Sequence, residues 1–217
     1  MYSLTQLKHV IFDLDGVLID SSPCHAAAYL KLWDKLTITG PDYNTIAGQR
    51  TTEVVSEQTK HLSLDASQIA KWVNYKQLEA RRLISQRLLV FSDSFAVINK
   101  LYNRHIKISV VTGASRKSAM AALLQIGVSS LIDTVVTAED VSRGKPNPEG
   151  FLQAVAKSDS LPVNTLIIED SNIGIDAALA TGAFVCSVRS GIKRESKQFI
   201  GTFDDLESIE EFIRTIE

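Results

Sequence analysis

The stretch Val10-Ile11-Phe12-Asp13-Leu14-Asp15-Gly16-Val17-Leu18 decides how this chain folds. Its apolar start predicts a strand over residues 8–13, buried on both faces in the middle of a sheet. The strand ends in two aspartates at i and i+2, followed by a glycine. Two carboxylates this close repel each other unless a cation or a proton lies between them. Folding alone has no use for that repulsion, so the pair points to chemistry. Gly16 lets the backbone turn sharply beneath it.

Downstream, the chain alternates strand and helix signals. Ile106-Lys107-Ile108-Ser109-Val110-Val111 reads as a strand, and Ser115 to Ile126 as a helix closed by Gly127. Leu131 to Val136 reads as the next strand. Asn147-Pro148-Glu149 supplies a cap, a first-turn proline and a first-turn acid to a helix reaching about Lys157. Thr165 to Ile168 is again strand, Ile173 to Thr181 a helix stopped by Gly182, Ala183 to Val188 strand, and Leu206 to Ile216 an amphipathic helix. This βαβα rhythm implies a Rossmann-like α/β core, a parallel sheet with helices on both faces.

Residues 18–91 interrupt the rhythm. Ser22 is expected to cap a helix with Pro23 in its first turn, striped by Ala28, Tyr29, Leu32 and Leu36, and Ile69, Trp72, Val73, Ala80, Leu83 and Ile84 stripe a longer one. The expectation is a core of residues 1–17 and 92–217, with 18–91 inserted as a helical cap over the carboxyl edge of the sheet, where open α/β sheets bind ligands.

Four strand ends then bring polar groups to one edge: Asp13 and Asp15; Thr112-Gly113-Ala114-Ser115, a hydroxyl followed by helix-start N–H groups; Lys145 within Gly144-Lys145-Pro146; and Glu169-Asp170. Four carboxylates around one lysine call for a hard divalent cation with oxygen ligands. Magnesium fits best, because it takes one or two carboxylates together with water and substrate phosphate. With phosphate charge neutralised by the metal and Lys145, an ionised Asp13 attacks phosphorus, while Asp15 protonates the leaving oxygen and later accepts a proton from water.

These four motifs, in this order and over nearly the whole chain, resemble the haloacid dehalogenase-like hydrolase superfamily, in its helical-cap branch of β-phosphoglucomutase-like and phosphoglycolate phosphatase-like enzymes. The resemblance implies a magnesium-dependent phosphatase of small phosphate monoesters, sugar phosphates or phosphoglycolate-like metabolites, working through an aspartyl-phosphate. It assigns Asp13 as nucleophile and metal ligand. Asp15 becomes the acid/base and lends its carbonyl to Mg²⁺. Asp170 becomes a metal ligand, Glu169 supports the metal directly or through water, and Thr112, Gly113 and Lys145 hold the phosphoryl group. His25 matches a histidine near the cap hinge that assists the acid/base in mutase-like members, or is a hydrogen-bonded histidine on the first cap helix. Arg50 either reaches toward an anionic or hydroxyl-rich substrate or is solvated. Two departures stand out: Ala47 replaces the lysine of the mutases, and Val90-Phe91-Ser92-Asp93-Ser94 lacks the common proline-glycine pair. A phosphomutase and a non-catalytic sugar-phosphate sensor remain as alternatives.

Other classes fall away. A P-loop nucleotidase needs a glycine where Glu139 stands, and a receiver domain would have neither the inserted helices nor Asp13-Leu14-Asp15. With 23 basic against 25 acidic residues, the net charge of −2 offers no field for nucleic acid. The start of the chain lacks a signal-peptide core, and no apolar run approaches the ~20 residues of a membrane span. A cytoplasmic monomer is expected, with Cys24 and Cys186 as small core residues rather than a bridge.

Overall fold

The computed structural model describes residues 7–46, 49, 51–86 and 89–216. In chain order its elements are β1 (His9–Phe12), β2 (Ile19–Asp20), α1 (Ser22–Leu36), α2 (Tyr43–Ile46), α3 (Thr51–Gln58), α4 (Ala66–Gln86), β3 (Leu89–Val90), α5 (Ser94–Asn103), β4 (Lys107–Val111), α6 (Arg116–Ile126), β5 (Thr134–Val136), α7 (Glu149–Lys157), β6 (Thr165–Glu169), α8 (Asn172–Leu179), β7 (Phe184–Val188), β8 (Phe199–Phe203) and α9 (Leu206–Thr215). The chain divides into two compact units, Met1–Asp20 with Val90–Glu217, and Ser21–Leu89. Among the described residues no helix is long and apolar enough to cross a membrane.

In the first unit six strands form a parallel sheet in the order β5-β4-β1-β6-β7-β8, an α/β architecture of the Rossmann-like kind. β1 lies at the centre because its side chains tolerate no water: Val10, Ile11 and Phe12 are wholly buried. Ile11, Ile167 and Val185 share one face, where they pack with Phe151 and Ala154 of α7 and Ile175, Ala177 and Ala178 of α8. Helices α5 and α9 pack on each other and against β4 and β8.

Local chemistry fixes the helix ends. Ser115 caps α6, its side chain accepting from Ser118 N, and Gly127 closes that helix with φ of 84°. The expected cap at Asn147 is corrected: Pro148 stands at the cap position of α7 without a side-chain bond, and Asn147, one residue earlier, accepts from Glu149 N through Oδ1 at 3.1 Å. Two further expectations are corrected. β5 starts at Thr134 rather than Leu131, because Leu131 N donates to Val128 O and closes a turn first. Ser22 is the first residue of α1 rather than its cap, and Ser21 stands at the cap position without a side-chain bond. The sequence reading also passed over α5 and β8, each of which contributes buried residues.

The second unit is helical. Tyr29, Leu32 and Trp33 of α1 form its core with Ile46, Val54 and Val55, flanked by Ile69, Trp72 and Val73 of α4. Tyr29 and Trp33 stack with centroids 5.5 Å apart, and Gly40 lies so close to the Trp33 indole that a Cβ there would sit 2.1 Å from it. Asp65 and Gln68 cap α4 reciprocally, Gln68 N donating to Asp65 Oδ1 at 2.8 Å and Asp65 N to Gln68 Oε1 at 2.9 Å. Cys24 and Cys186 are both buried and neither is part of a disulfide.

At the amino end of the sheet, His9 is wholly buried beside Ser109 and Ser158, with its Nε2 2.7 Å from Ser109 Oγ and its Nδ1 unpartnered. Burial lowers its pKa to about 4, so the imidazole is neutral in the folded protein while the unfolded chain takes up a proton near 6.5. The unfolded state therefore binds more protons between these values, and stability falls as pH drops from 6.5 toward 4, with no further loss from this group below that. At pH 4.5 the penalty amounts to about 2 to 3 kcal/mol. Urea unfolding of wild type and His9→Gln at pH 7 and 4.5 is expected to show the smaller pH dependence in the variant; equal slopes would exclude this account.

Candidate active site

The candidate residues of the first unit stand where the central strands stop. Asp13 N donates to Ile168 O at 3.0 Å and Thr112 N to Val136 O at 3.0 Å, each extending its strand's ladder by one residue. Because Phe12 pairs with both Val110 and Ile168, Asp13 emerges between Val111-Thr112 on one side and Glu169-Asp170 on the other. The chain then folds into a tight turn: Leu18 N and Ile19 N both donate to Leu14 O, and Gly16 N to Ile19 O at 2.7 Å. Gly16 has φ of 86°, and a Cβ there would sit 1.9 Å from Asp170 Oδ2. Only glycine meets both conditions, and Asp170 thereby lies directly against the backbone that follows Asp15.

Lys145 joins the motifs. Its Nζ donates to Asp13 Oδ1, to Glu169 Oε1 at 2.5 Å and to Val111 O at 3.3 Å, and lies 5.0 Å from the centre of the Phe151 ring. Glu169 is fully buried, and its other oxygen accepts from Asp170 N, Ser171 N and Ser171 Oγ at 3.0 to 3.2 Å. A Cβ on Gly174, at the start of α8, would sit 1.9 Å from Glu169 Oε1, so that helix packs directly onto the carboxylate. Thr112 Oγ1 accepts from Ala114 N at 3.0 Å, which leaves its O–H to donate elsewhere, and the space above Gly113 is open. The backbone N–H of Arg116, at the start of α6, is instead taken by the chain's own Glu139 at 2.9 Å. Beside Thr112, Gly113 and Lys145 opens a cavity of about 300 Å³, walled further by Val136, Val141 and Phe151.

The electrostatics show a shortage of positive charge. Burial raises the pKa of Asp13, and the charges of Glu169, Asp170 and Asp15 add to the rise while Lys145 opposes it. Asp170 is pushed up to about 7, by burial first and then by Glu169. Burial acts to lower the pKa of Lys145, but Asp13 and Glu169 more than offset it and keep the ammonium charged. Among the described residues no three His, Cys, Asp or Glu side chains are gathered to ligate one ion. The donor set nonetheless fits magnesium, which needs only one or two carboxylates with water and phosphate oxygens. Asp13 and Asp170 are hard oxygen donors short of a cation, whereas Glu169 already accepts from four donor groups.

In the second unit, His25 lies on α1 and accepts or donates through Nδ1 to Lys76 Nζ of α4 at 2.9 Å. Lys76 is buried, with its ammonium 4.2 Å from the centre of the Tyr29 ring. The sequence reading missed Lys76; a lysine interrupting the apolar stripe of α4 was the available signal. Arg50, Ala47 and Gly48 lie outside the described residues.

A Rossmann-like sheet with two acidic motifs, a hydroxyl and a lysine at its carboxyl edge is the architecture of a phosphoryl-transfer hydrolase. The chain belongs to the haloacid dehalogenase-like hydrolase family, whose profile it matches over residues 10–188. It is 28% identical over 184 residues to a validoxylamine A 7'-phosphate phosphatase of Streptomyces hygroscopicus subsp. limoneus, covering 82% of this chain and 83% of that one. It is also 28% identical over 198 residues to the β-phosphoglucomutase of Bacillus subtilis, covering 85% and 84%. The crystal structure of a β-phosphoglucomutase from Clostridium difficile superposes with a TM-score of 0.77 at 24% identity, over 97% of this chain and 96% of that one, and shares the fold. The chain is an enzyme of the phosphoric monoester hydrolase class.

Because Gly174 touches Glu169, Gly174→Ala is expected to push the carboxylate off Lys145. Urea unfolding is expected to show a loss of about 1 to 3 kcal/mol, the usual cost of overpacking. Steady-state phosphate release is expected to fall at least about tenfold through kcat, as misplaced catalytic groups do. Wild-type values for both would remove Glu169 from the support of Lys145.

Proposed function

We propose that this chain is a magnesium-dependent phosphatase that hydrolyses small phosphate monoesters, sugar phosphates or phosphoglycolate-like metabolites, through an aspartyl-phosphate on Asp13. The observation that carries this reading is the buried bridge of Lys145 between Asp13 and Glu169 at the ends of adjacent strands. A fixed cation beside the carboxylate of Asp13, with Lys145 also lining the cavity beside Thr112 and Gly113, is what phosphoryl transfer requires.

In this reading Asp13 attacks phosphorus in its carboxylate form, which Lys145 helps maintain against burial. Asp15, two residues on, protonates the leaving oxygen and then takes a proton from the water that hydrolyses the acyl phosphate. Lys145, the Thr112 hydroxyl and the Gly113 backbone hold the phosphoryl oxygens. Glu169 keeps Lys145 in place, a role its four donors favour over direct metal ligation. Asp13, Asp170 and the Asp15 carbonyl would hold Mg²⁺, which when bound neutralises phosphate charge and lowers the energy of the developing negative oxygens. Residues Ser21–Leu89 would act as the cap that selects the leaving group, with Lys76, His25 and Arg50 as its polar candidates. The enzyme would work as a cytoplasmic monomer.

The likeness to a β-phosphoglucomutase favours a second reading, a sugar phosphomutase, which would need the same core residues. The test is phosphate release across sugar phosphates and phosphoglycolate, with Mg²⁺ or with EDTA, beside Asp13→Asn. Release that needs Mg²⁺ and drops by at least about a thousandfold in the variant is expected for a lost nucleophile. Absence of release, with isomerisation appearing once a sugar bisphosphate is added, would replace the phosphatase by the mutase; binding without any turnover would leave a sensor.

A further inference from the structure

Arg189 follows β7 with a left-handed backbone, φ 52°, which a non-glycine residue holds only where its surroundings over-determine it. Four contacts supply that constraint. Its backbone N–H donates to Phe203 O at 3.0 Å. Both oxygens of Asp93 accept from Nη2 at 2.5 Å, the guanidinium carbon lies 3.8 Å from the centre of the Phe91 ring, and Nη1 donates to Val17 O at 3.0 Å. The Arg189 and Asp93 side chains are only 17% and 9% exposed, so water does not screen the pair. Asp93 Oδ2 also accepts from Leu206 N at 2.8 Å, which ties the start of α9 to the same point.

The reach to Val17 spans 172 residues and serves neither the Asp93 pair nor α9. Val17 belongs to the turn that carries Asp15 and Gly16, and the next carbonyl, Leu18 O, accepts from Phe91 N at 3.3 Å and Ser94 Oγ at 2.8 Å. Residues 91–94 and Arg189 therefore grip two consecutive carbonyls of that turn. A rigid guanidinium fork suits this task, since one group serves the carbonyl, the carboxylate and the aromatic face together, which an ammonium does not.

We propose that Arg189 is a positioning residue for the chemistry at Asp13 and Asp15, acting through the Val17 carbonyl. The proposal rests on the phosphatase reading, and its test separates the two. Arg189→Gly removes the side chain while keeping the left-handed backbone free of strain. Amide hydrogen exchange is followed at Gly16, Leu18 and Ile19 and, as a reference, at Val110 and Ile167 in the central strands. Phosphate release in Mg²⁺ is followed with and without guanidinium at a sub-denaturing concentration. Expected are faster exchange in the turn with unchanged exchange in the strands, a kcat at least about tenfold lower with KM within about twofold, and partial recovery of both by guanidinium. Unchanged exchange in the turn would overturn the proposal. So would equal acceleration across turn and strands with no recovery, the signature of general loosening. Should wild type release no phosphate from any ester, the phosphatase reading fails by itself, and the exchange comparison alone decides whether Arg189 holds the turn.

Discussion

The buried bridge of Lys145 to Asp13 and Glu169 is the constraint on which the carboxyl edge of the sheet depends. Removing charges from water is expensive, and a buried charge that loses its partner costs about 3 to 5 kcal/mol. Glu169, wholly buried at the end of β6, is tolerable only because Lys145 and three donors from its own loop surround it. Lys145 in turn is held by carboxylates from two adjacent strands, so the loop that carries it is fixed relative to β1 and β6 by charge as well as by packing. The aliphatic core explains why the strands run side by side. The ion bridge explains why their ends are equally well defined.

Close packing makes that bridge intolerant of displacement. Gly16 lies under Asp170 and Gly174 under Glu169, each at a distance that leaves no room for a methyl group. The two adjacent carboxylates at the end of β6 are thus walled by two backbones, one from the turn after β1 and one from the start of α8. Arg189 and Ser94 hold the far side of the same turn through the Val17 and Leu18 carbonyls. A site built this way needs little reorganisation when charge develops, which is the property from which electrostatic catalysis draws most of its effect.

Much of the core architecture is legible in the sequence because its signals are local. Val10-Ile11-Phe12 and Leu166-Ile167-Ile168 read as buried strands without reference to anything else, and Ser115 and Gly127 mark the ends of α6 by cap chemistry alone. Three of the polar motifs are legible for the same reason, Asp13, Thr112 and Glu169-Asp170 lying at the end of an apolar strand, whereas Lys145 lies in the loop between β5 and α7. What escapes is what depends on distant partners. β8 contains Gly201 and pairs with β7 through a register shift, so its strand character comes from β7 rather than from its own residues. Lys76 is fixed by His25, 51 residues earlier, and on the apolar stripe of α4 it reads as an interruption. Glu169 reads from the motif as a support for the metal, directly or through water, and its bonds to Ser171 and Lys145 depend on partners that the motif alone does not reveal.

Charge imbalance links this architecture to ligand binding. Burial is the first cause that raises the pKa values of Asp13 and Asp170, and the neighbouring charges of Glu169 and Asp15 raise them further while Lys145 opposes the rise. A dianionic phosphate ester brought alone beside these carboxylates meets their repulsion, at separations where the low dielectric of the interior strengthens each unfavourable contact. In the proposed reading a divalent cation would reverse the sign of that interaction by giving carboxylate and phosphate oxygens a shared partner. In that reading the same negative field would make the site selective, admitting an anion only in company with a metal. Fold stability and substrate choice then press on one set of residues in opposite directions, and the tight walls of Gly16 and Gly174 and the grip of Arg189 are the places where the fold supplies the difference.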